Sequence, residues 1–288
     1  MFYFYPMQAF NFNGKIYPSG TAVVGPQNRG LRYGDGIFET LRFKDDQLIL
    51  ADEHFARLWK GLHALGFAVP KLLSPELLET QIRQLLEKNK ISSARVRINM
   101  FRGDGGLYDP ENLNPNYIIE TWPLNIQHSA LQENGLQICF YRECEKANGK
   151  FSNLKHNNYL PYLMGALHAK TNRCNDALIF NSNHRICDST MANVFIIRNK
   201  EIFTPALEEG CVAGVMRAQI INTLKSSDSP VIEKPITEND LLEADEIFLS
   251  NAIYRIRWVA GCEGKIFHCQ QTRDLFEQLQ QTNPAVFC

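Results

Sequence analysis

The apolar residues of this chain switch repeatedly between a period of two and a helical period, on both sides of a polar stretch at 123–134. Residues 1–10 (MFYFYPMQAF) read as an opening strand, and NGKIYP (13–18) reads as a hairpin turn entering a strand. Residues 32–50 read as two β segments joined at Lys44-Asp45-Asp46. In 51–67, Phe55, Leu58, Trp59, Leu62 and Leu65 recur at helical spacing, with Asp52 as N-cap. In 74–89, Ser74 caps a second helix, Pro75 occupies its first turn, and Leu78, Ile82, Leu85 and Leu86 form its apolar stripe. Strands follow at 94–103 and 117–122, separated by a loop at 104–116 rich in turn residues. Beyond 134 the spacing predicts strands at 135–141, 176–181, 193–199, 201–205 and 246–251. Helices are expected after Tyr159 and at 214–227, 238–245 and 270–282. The pattern predicts a mixed α/β (α+β) chain of two domains, 1–122 and 135–288, with 123–134 as the linker.

Composition narrows the function classes. The chain has 288 residues, 44% hydrophobic and 21% charged, enough for sizeable cores. A net charge of −1 offers no electrostatic footprint for nucleic acid or an acidic membrane surface. No run reaches the ~20 apolar residues of a membrane span, and the N-terminus lacks the basic region and cleavage site of a signal peptide. The eight cysteines contain no C-x-x-C pair, so no metal site is expected and the thiols read as reduced, packed as small apolar residues of a cytoplasmic protein.

Four stretches carry chemistry-capable residues, and each also has an ordinary structural reading. FSNLKHNNYL (151–160) holds Lys155, whose amine can form a Schiff base with a carbonyl cofactor but is equally consistent with a solvated lysine. CDSTMANVF (187–195) places Asp188 just ahead of an apolar strand, either as a hairpin-turn acid or as a carboxylate aimed at a protonated heterocyclic nitrogen. EEGCVAGVMRAQII (208–221) sets two glycines before a helix start, a ready phosphate site or a plain loop-to-helix turn. FLSNA (248–252) ends a strand in Ser250 and Asn251, which can bind phosphate oxygens or cap the next turn. No P-loop, dinucleotide fingerprint, H-x-x-x-H pair or G-x-S-x-G elbow is present.

The order of these stretches resembles the class IV aminotransferases, the pyridoxal phosphate enzymes of fold type IV. The matching pieces are RYGDGIFETLRF (32–43), HFARLWKGLHALG (54–66), LKHNNYL (154–160), DSTMANVFII (188–197), LEEGCVAGVMR (207–217) and ADEIFLSNAI (244–253). The resemblance implies a two-domain fold like that of D-amino-acid aminotransferase, an active site between the domains, pyridoxal 5′-phosphate as cofactor, and a homodimer. It implies Lys155 as the Schiff-base lysine, and Arg57, Val215, Met216 and Ser250 around the cofactor phosphate. Tyr159 matches the partner of the cofactor phenol, and Asp188 stands where the family has glutamate opposite the pyridine nitrogen. Tyr33, Phe38, Arg97, Asn251 and Ala252 match substrate-side positions. Aspartate is one methylene shorter than glutamate, so the strand must shift inward or a water must bridge.

The resemblance implies an amino transfer between an amino acid, branched-chain-like, and a 2-oxo acid. Tyr33, Tyr159 and Arg97 fit that type, although Arg95 stands where its pattern has tyrosine. KHNN and RGDGG also look like segments of 4-amino-4-deoxychorismate lyases, which usually carry arginine at the position of Tyr159. A third reading is a cofactor-binding homologue without turnover.

Overall fold

The computed structural model describes residues 8–124, 131–225, 227 and 229–288. The expected opening strand falls mostly on residues 1–7, and the middle of the expected linker on 125–130, both outside the described residues. The chain divides into two compact units, Met1–Ile126 with Lys155–Asn158, and Gln127–Leu154 with Tyr159–Cys288.

The first unit is built from β1 (Ala9–Phe12), β2 (Lys15–Pro18), α1 (Arg29–Tyr33), β3 (Gly36–Lys44), β4 (Gln47–Leu48), α2 (Ala51–Ala64), α3 (Pro75–Asn89), β5 (Ala94–Arg102) and β6 (Pro115–Pro123). Its six strands form one antiparallel sheet in the order β2-β1-β6-β5-β3-β4. The β1–β2 turn is Asn13-Gly14, with φ of 50° and 87°, the left-handed pair that a tight hairpin needs. The alternation along β5 separates two faces. Val96, Ile98 and Met100 are buried, whereas Arg95, Arg97 and Asn99 are only partly covered. The buried core is completed by Phe55, Leu58 and Leu62 of α2 and Leu78, Ile82 and Leu85 of α3. Full burial of each of these side chains stabilises by roughly 1.5–3 kcal/mol.

Ser74 caps α3 by accepting from Leu77 N–H, and Pro75 opens the helix, as expected. Two readings are corrected. The N-cap of α2 is Leu50, without a side-chain cap bond; Asp52 lies in the first turn, where the positive helix end favours an acid. Arg32 and Tyr33 lie in the short helix α1, closed by Gly34 at φ 64°, so the first β segment begins only at Gly36.

The second unit contains β7 (Leu136–Lys146), α4 (Leu160–Thr171), β8 (Asp176–Asn181), β9 (Ile186–Ser189), β10 (Asn193–Arg198), β11 (Glu201–Pro205), α5 (Val215–Leu224), β12 (Val231–Lys234), α6 (Glu238–Leu242), β13 (Glu246–Asn251), β14 (Arg255–Cys262), β15 (Lys265–Ile266), α7 (Gln270–Thr282) and α8 (Pro284–Phe287). Its sheet runs β12-β11-β10-β13-β14-β7-β8-β9, with β15 on β14. The β11–β12, β14–β7 and β7–β8 pairs are parallel, and the others are antiparallel. Strand β8 is buried throughout because both faces are covered. Leu178 and Phe180 enter one core with Val194, Ile247 and Leu249, while Ala177 and Ile179 enter a second with Tyr141, Tyr162 and Ala169. Cys139, Cys187, Cys211 and Cys262 are buried here as small apolar side chains, and burial pushes the Cys262 thiol up to about 12. No described helix is long and apolar enough to cross a membrane.

Candidate functional site

Within the first unit, Lys155 is held by backbone pairing. Phe38 N–H donates to Lys155 O at 2.9 Å, and Asn157 N–H donates to Gly36 O at 2.9 Å. These bonds flank an antiparallel bridge between Ile37 and His156. Strand β4 covers the outer edge of β3 only at Phe43 and Lys44, so residues 155–157 extend that edge at the start of β3. The Lys155 ammonium lies over the Phe38 ring, 4.6 Å from its centroid. The Arg97 guanidinium lies over the same ring at 4.2 Å. Arg97 therefore belongs to the partly covered face of β5, together with Asn99, whose register partner on β3 is Phe38.

Glu39 points to the opposite, helix-covered face. Its carboxylate accepts from Arg57 Nε and Nη2, each at 2.7 Å, and lies 2.7 Å from His54 Nδ1. Burial alone would raise this carboxyl, but the Arg57 charge and the His54 contact hold it down to about 2. Arg57 is thus fixed on α2 by a fork of two charge-assisted bonds. Tyr33 closes α1 with its ring 5.9 Å from that of Tyr108 and 5.2 Å from the Arg29 guanidinium.

In the second unit, Asp188 lies on β9 with 2% exposure rather than in a solvated turn. Its Oδ1 accepts from Asn193 Nδ2 at 2.9 Å. Its Oδ2 accepts from Tyr162 O–H at 2.7 Å, Val212 N–H at 2.9 Å and Lys146 Nζ at 3.3 Å. Burial is the strongest influence and raises the carboxyl, against the opposing Lys146 charge and Tyr162 bond. Burial and the Asp188 charge push the Tyr162 phenol well above its ordinary range. Tyr159, ahead of α4, stacks on Tyr162 with centroids 4.6 Å apart.

Helix α5 starts at Val215 after Gly214, with no side-chain cap and no acid in its first turn. Gly214 is required by a close approach, since a Cβ there would lie 1.9 Å from Asn193 Oδ1. Asn193 also donates to Val212 O at 2.8 Å. It therefore ties the Asp188 carboxylate to the loop that opens α5. Ser250, paired with Asn193 in the β10–β13 ladder, has a buried Oγ with no hydrogen-bond partner among the described residues. Asn251 is used by the turn that follows. Its Oδ1 accepts from Ile253 and Tyr254 N–H at 3.0 and 2.8 Å, and its Nδ2 donates to Met191 O at 3.2 Å, with Ala252 inside the same turn.

The structure gathers Phe38, Arg97 and Lys155 in one unit, and Tyr159, Asp188, Val215, Met216 and Ser250 in the other. Sequence reading missed Glu39, His54, Asn99, Lys146 and Tyr162. Glu39 carried a signal, being a charged residue in phase with the inward-facing Ile37 and Leu41. Tyr162 lies one turn beyond Tyr159 along α4. Lys146 gave none, because β7 runs past the expected end at 141.

The description of amino-transferase class IV matches residues 36–262. An aminodeoxychorismate lyase of Vibrio harveyi is 30% identical over 81% of this chain and 85% of its own length. A D-alanine aminotransferase of Bacillus licheniformis is 23% identical over 88% of each chain. The branched-chain amino acid aminotransferase of Escherichia coli shares the fold with a TM-score of 0.84 at 24% identity, over 98% of this chain and 94% of its own.

Proposed function

The chain belongs to the class IV aminotransferases, enzymes that work with pyridoxal 5′-phosphate, and from that premise we propose that it moves an amino group between a branched-chain-like amino acid and a 2-oxo acid. The residues fit the cofactor. Ser250 offers a buried hydroxyl without a partner among the described residues, and α5 offers uncapped first-turn N–H groups. Asp188 supplies a buried carboxylate of the kind that keeps a heterocyclic nitrogen charged. When bound, the cofactor supplies an electron sink for the bond broken at the substrate Cα.

The rest of the work falls to this chain. Val215 and Met216 N–H, Ser250 and Arg57 hold the phosphate, Tyr159 the phenol oxygen, and Asp188 the ring nitrogen. Lys155 carries the cofactor and then moves the Cα proton as general base and acid. Arg97 binds the substrate carboxylate, with Tyr33, Phe38, Asn251 and Ala252 lining the substrate side. The observation that carries this reading is the shared platform of Phe38. It sets a carboxylate-binding cation and a lysine amine 4.2 and 4.6 Å from one ring. We also propose a homodimer, supported by an exposed apolar stripe along α4.

A second reading, cleavage of 4-amino-4-deoxychorismate to 4-aminobenzoate and pyruvate, is favoured by the 30% identity to the Vibrio lyase. The two part in one assay. Purified protein is given branched-chain, aromatic or D-amino acids with 2-oxoglutarate and, separately, aminodeoxychorismate. Amino transfer to the 2-oxo acid is the expected result; pyruvate release without any such transfer overturns it. Colour that no amino acid perturbs would indicate a binder without turnover. Lys155→Ala is expected to abolish both the visible band of the bound cofactor and activity, and retention of both would refute the lysine assignment.

A further inference from the structure

We infer that Asn99 is a positioning residue for Lys155, acting through Asn157. The inference rests on the reading of Lys155 given above. Asn157 Nδ2 donates to Asn99 Oδ1 at 2.8 Å. Lys155 and Asn157 flank the antiparallel bridge of His156 to Ile37, opposite Phe38 and Gly36, so their side chains leave the same face. One reaches the Phe38 ring, and the other reaches Asn99, the residue paired with Phe38 across the β3–β5 ladder. The lysine and its anchor therefore contact one cross-strand pair.

The backbone of β3 is shaped to admit that anchor. A Cβ on Gly36 would lie 2.5 Å from Asn157 Nδ2 and 2.4 Å from Met100 O. Gly34, at φ 64°, lets the chain pass with Asn157 O 3.3 Å from where its Cβ would be. Two backbone bonds alone leave a three-residue edge segment prone to fraying or slipping, and a slip of one residue would turn Lys155 away from Phe38. The side-chain bond between Asn157 and Asn99 fixes the register, because it can form only when residue 157 stands opposite Gly36. Asn99 holds the lysine in place and takes no part in the chemistry.

The test compares wild type with Asn99→Leu, Asn157→Leu, the double variant and Asn99→Asp, which keeps the acceptor. Amide hydrogen exchange of the cofactor-free protein reads protection at Phe38 and Asn157, with Leu178 on β8 as the fold control. Borohydride trapping followed by peptide mass mapping reads the rate of cofactor attachment at Lys155. Each leucine variant is expected to lose about tenfold in protection at Phe38 and in trapping rate, the order of one hydrogen bond. The double variant should be no worse than either single one, and Asn99→Asp should keep its protection. If the leucine variants fail the fold control, Asn99→Ser removes the same bond without adding an apolar side chain. Unchanged protection at Phe38, additive losses in the double variant, or lost protection with an unchanged trapping rate each overturn the inference. Trapping on a residue other than Lys155 in wild type would instead overturn the lysine assignment, while the exchange data still decide whether the Asn99–Asn157 lock exists.

Discussion

Glu39 is a carboxylate with no access to water, stabilised as an anion by an arginine fork and a histidine. Its folded-state value of about 2 lies below the ordinary 4.5, so its contribution is complete above 4.5 and disappears as pH falls from there to about 2. That shift corresponds to roughly 3 kcal/mol. Glu39→Gln is expected to lower the urea midpoint at pH 7 and to flatten the acid limb between pH 4.5 and 2, read from unfolding curves across that range. Asp188 has the opposite sign. Its carboxyl is raised in the fold, so the folded state holds the extra proton and stability falls as pH climbs from 3.8 through the raised value. Lys146 opposes this rise. Lys146→Met should extend the loss to higher pH, so that the stability of the variant falls further with rising pH than that of wild type. Removing one member of such a buried pair costs about 3–5 kcal/mol near neutrality. Equal pH slopes for variant and wild type would show that Lys146 does not govern the carboxylate.

The helices differ in how much of themselves they bury. Helix α2 hides one stripe, whereas α4 leaves Leu160, Leu163, Met164 and Leu167 exposed at 59, 64, 39 and 54%. Their spacing of three, one and three places them on one face. An exposed apolar stripe of this kind is what supports the proposed homodimer. The double substitution Leu163→Glu with Leu167→Glu is expected to convert a dimer into a monomer in sedimentation velocity, with the far-ultraviolet dichroism unchanged. A monomeric wild type would remove the homodimer proposal. At this scale the sequence was a good guide where period and cap agreed, as in α3 with Ser74 and Pro75, and period alone sufficed for α7, whose bounds match the expected 270–282 although Cys269 makes no side-chain cap bond. It failed where tertiary packing overrode a local signal. Asp52 has the chemistry of a cap, but the chain enters α2 from Leu50 in a left-handed conformation. Strand β14 was overlooked because arginines at 255 and 257 break its apolar run, and Arg255 is buried by donating to Phe287 O at 2.9 Å.

Across the whole molecule, the candidate site residues were proposed from their order along the chain, while the groups that surround them left no such mark. Lys155, Asp188 and the α5 start each sit in a short stretch with an ordinary structural reading, and only their collinear order singles them out. The donors around Asp188 come from β7, α4, β10 and the loop before α5, and only a folded sheet brings them together. The edge pairing at Lys155 is of the same long-range kind and also constrains the time course of synthesis. Strand β3 emerges from the ribosome about 120 residues before its outer-edge partner, a delay of roughly 6–24 s at 5–20 residues per second. During that interval Gly36–Phe38 is an open sheet edge on a nascent chain, available to any extended segment that passes. Arrival of residues 155–157 ends this exposure, so the segment that carries the lysine also closes the newborn sheet against misassembly.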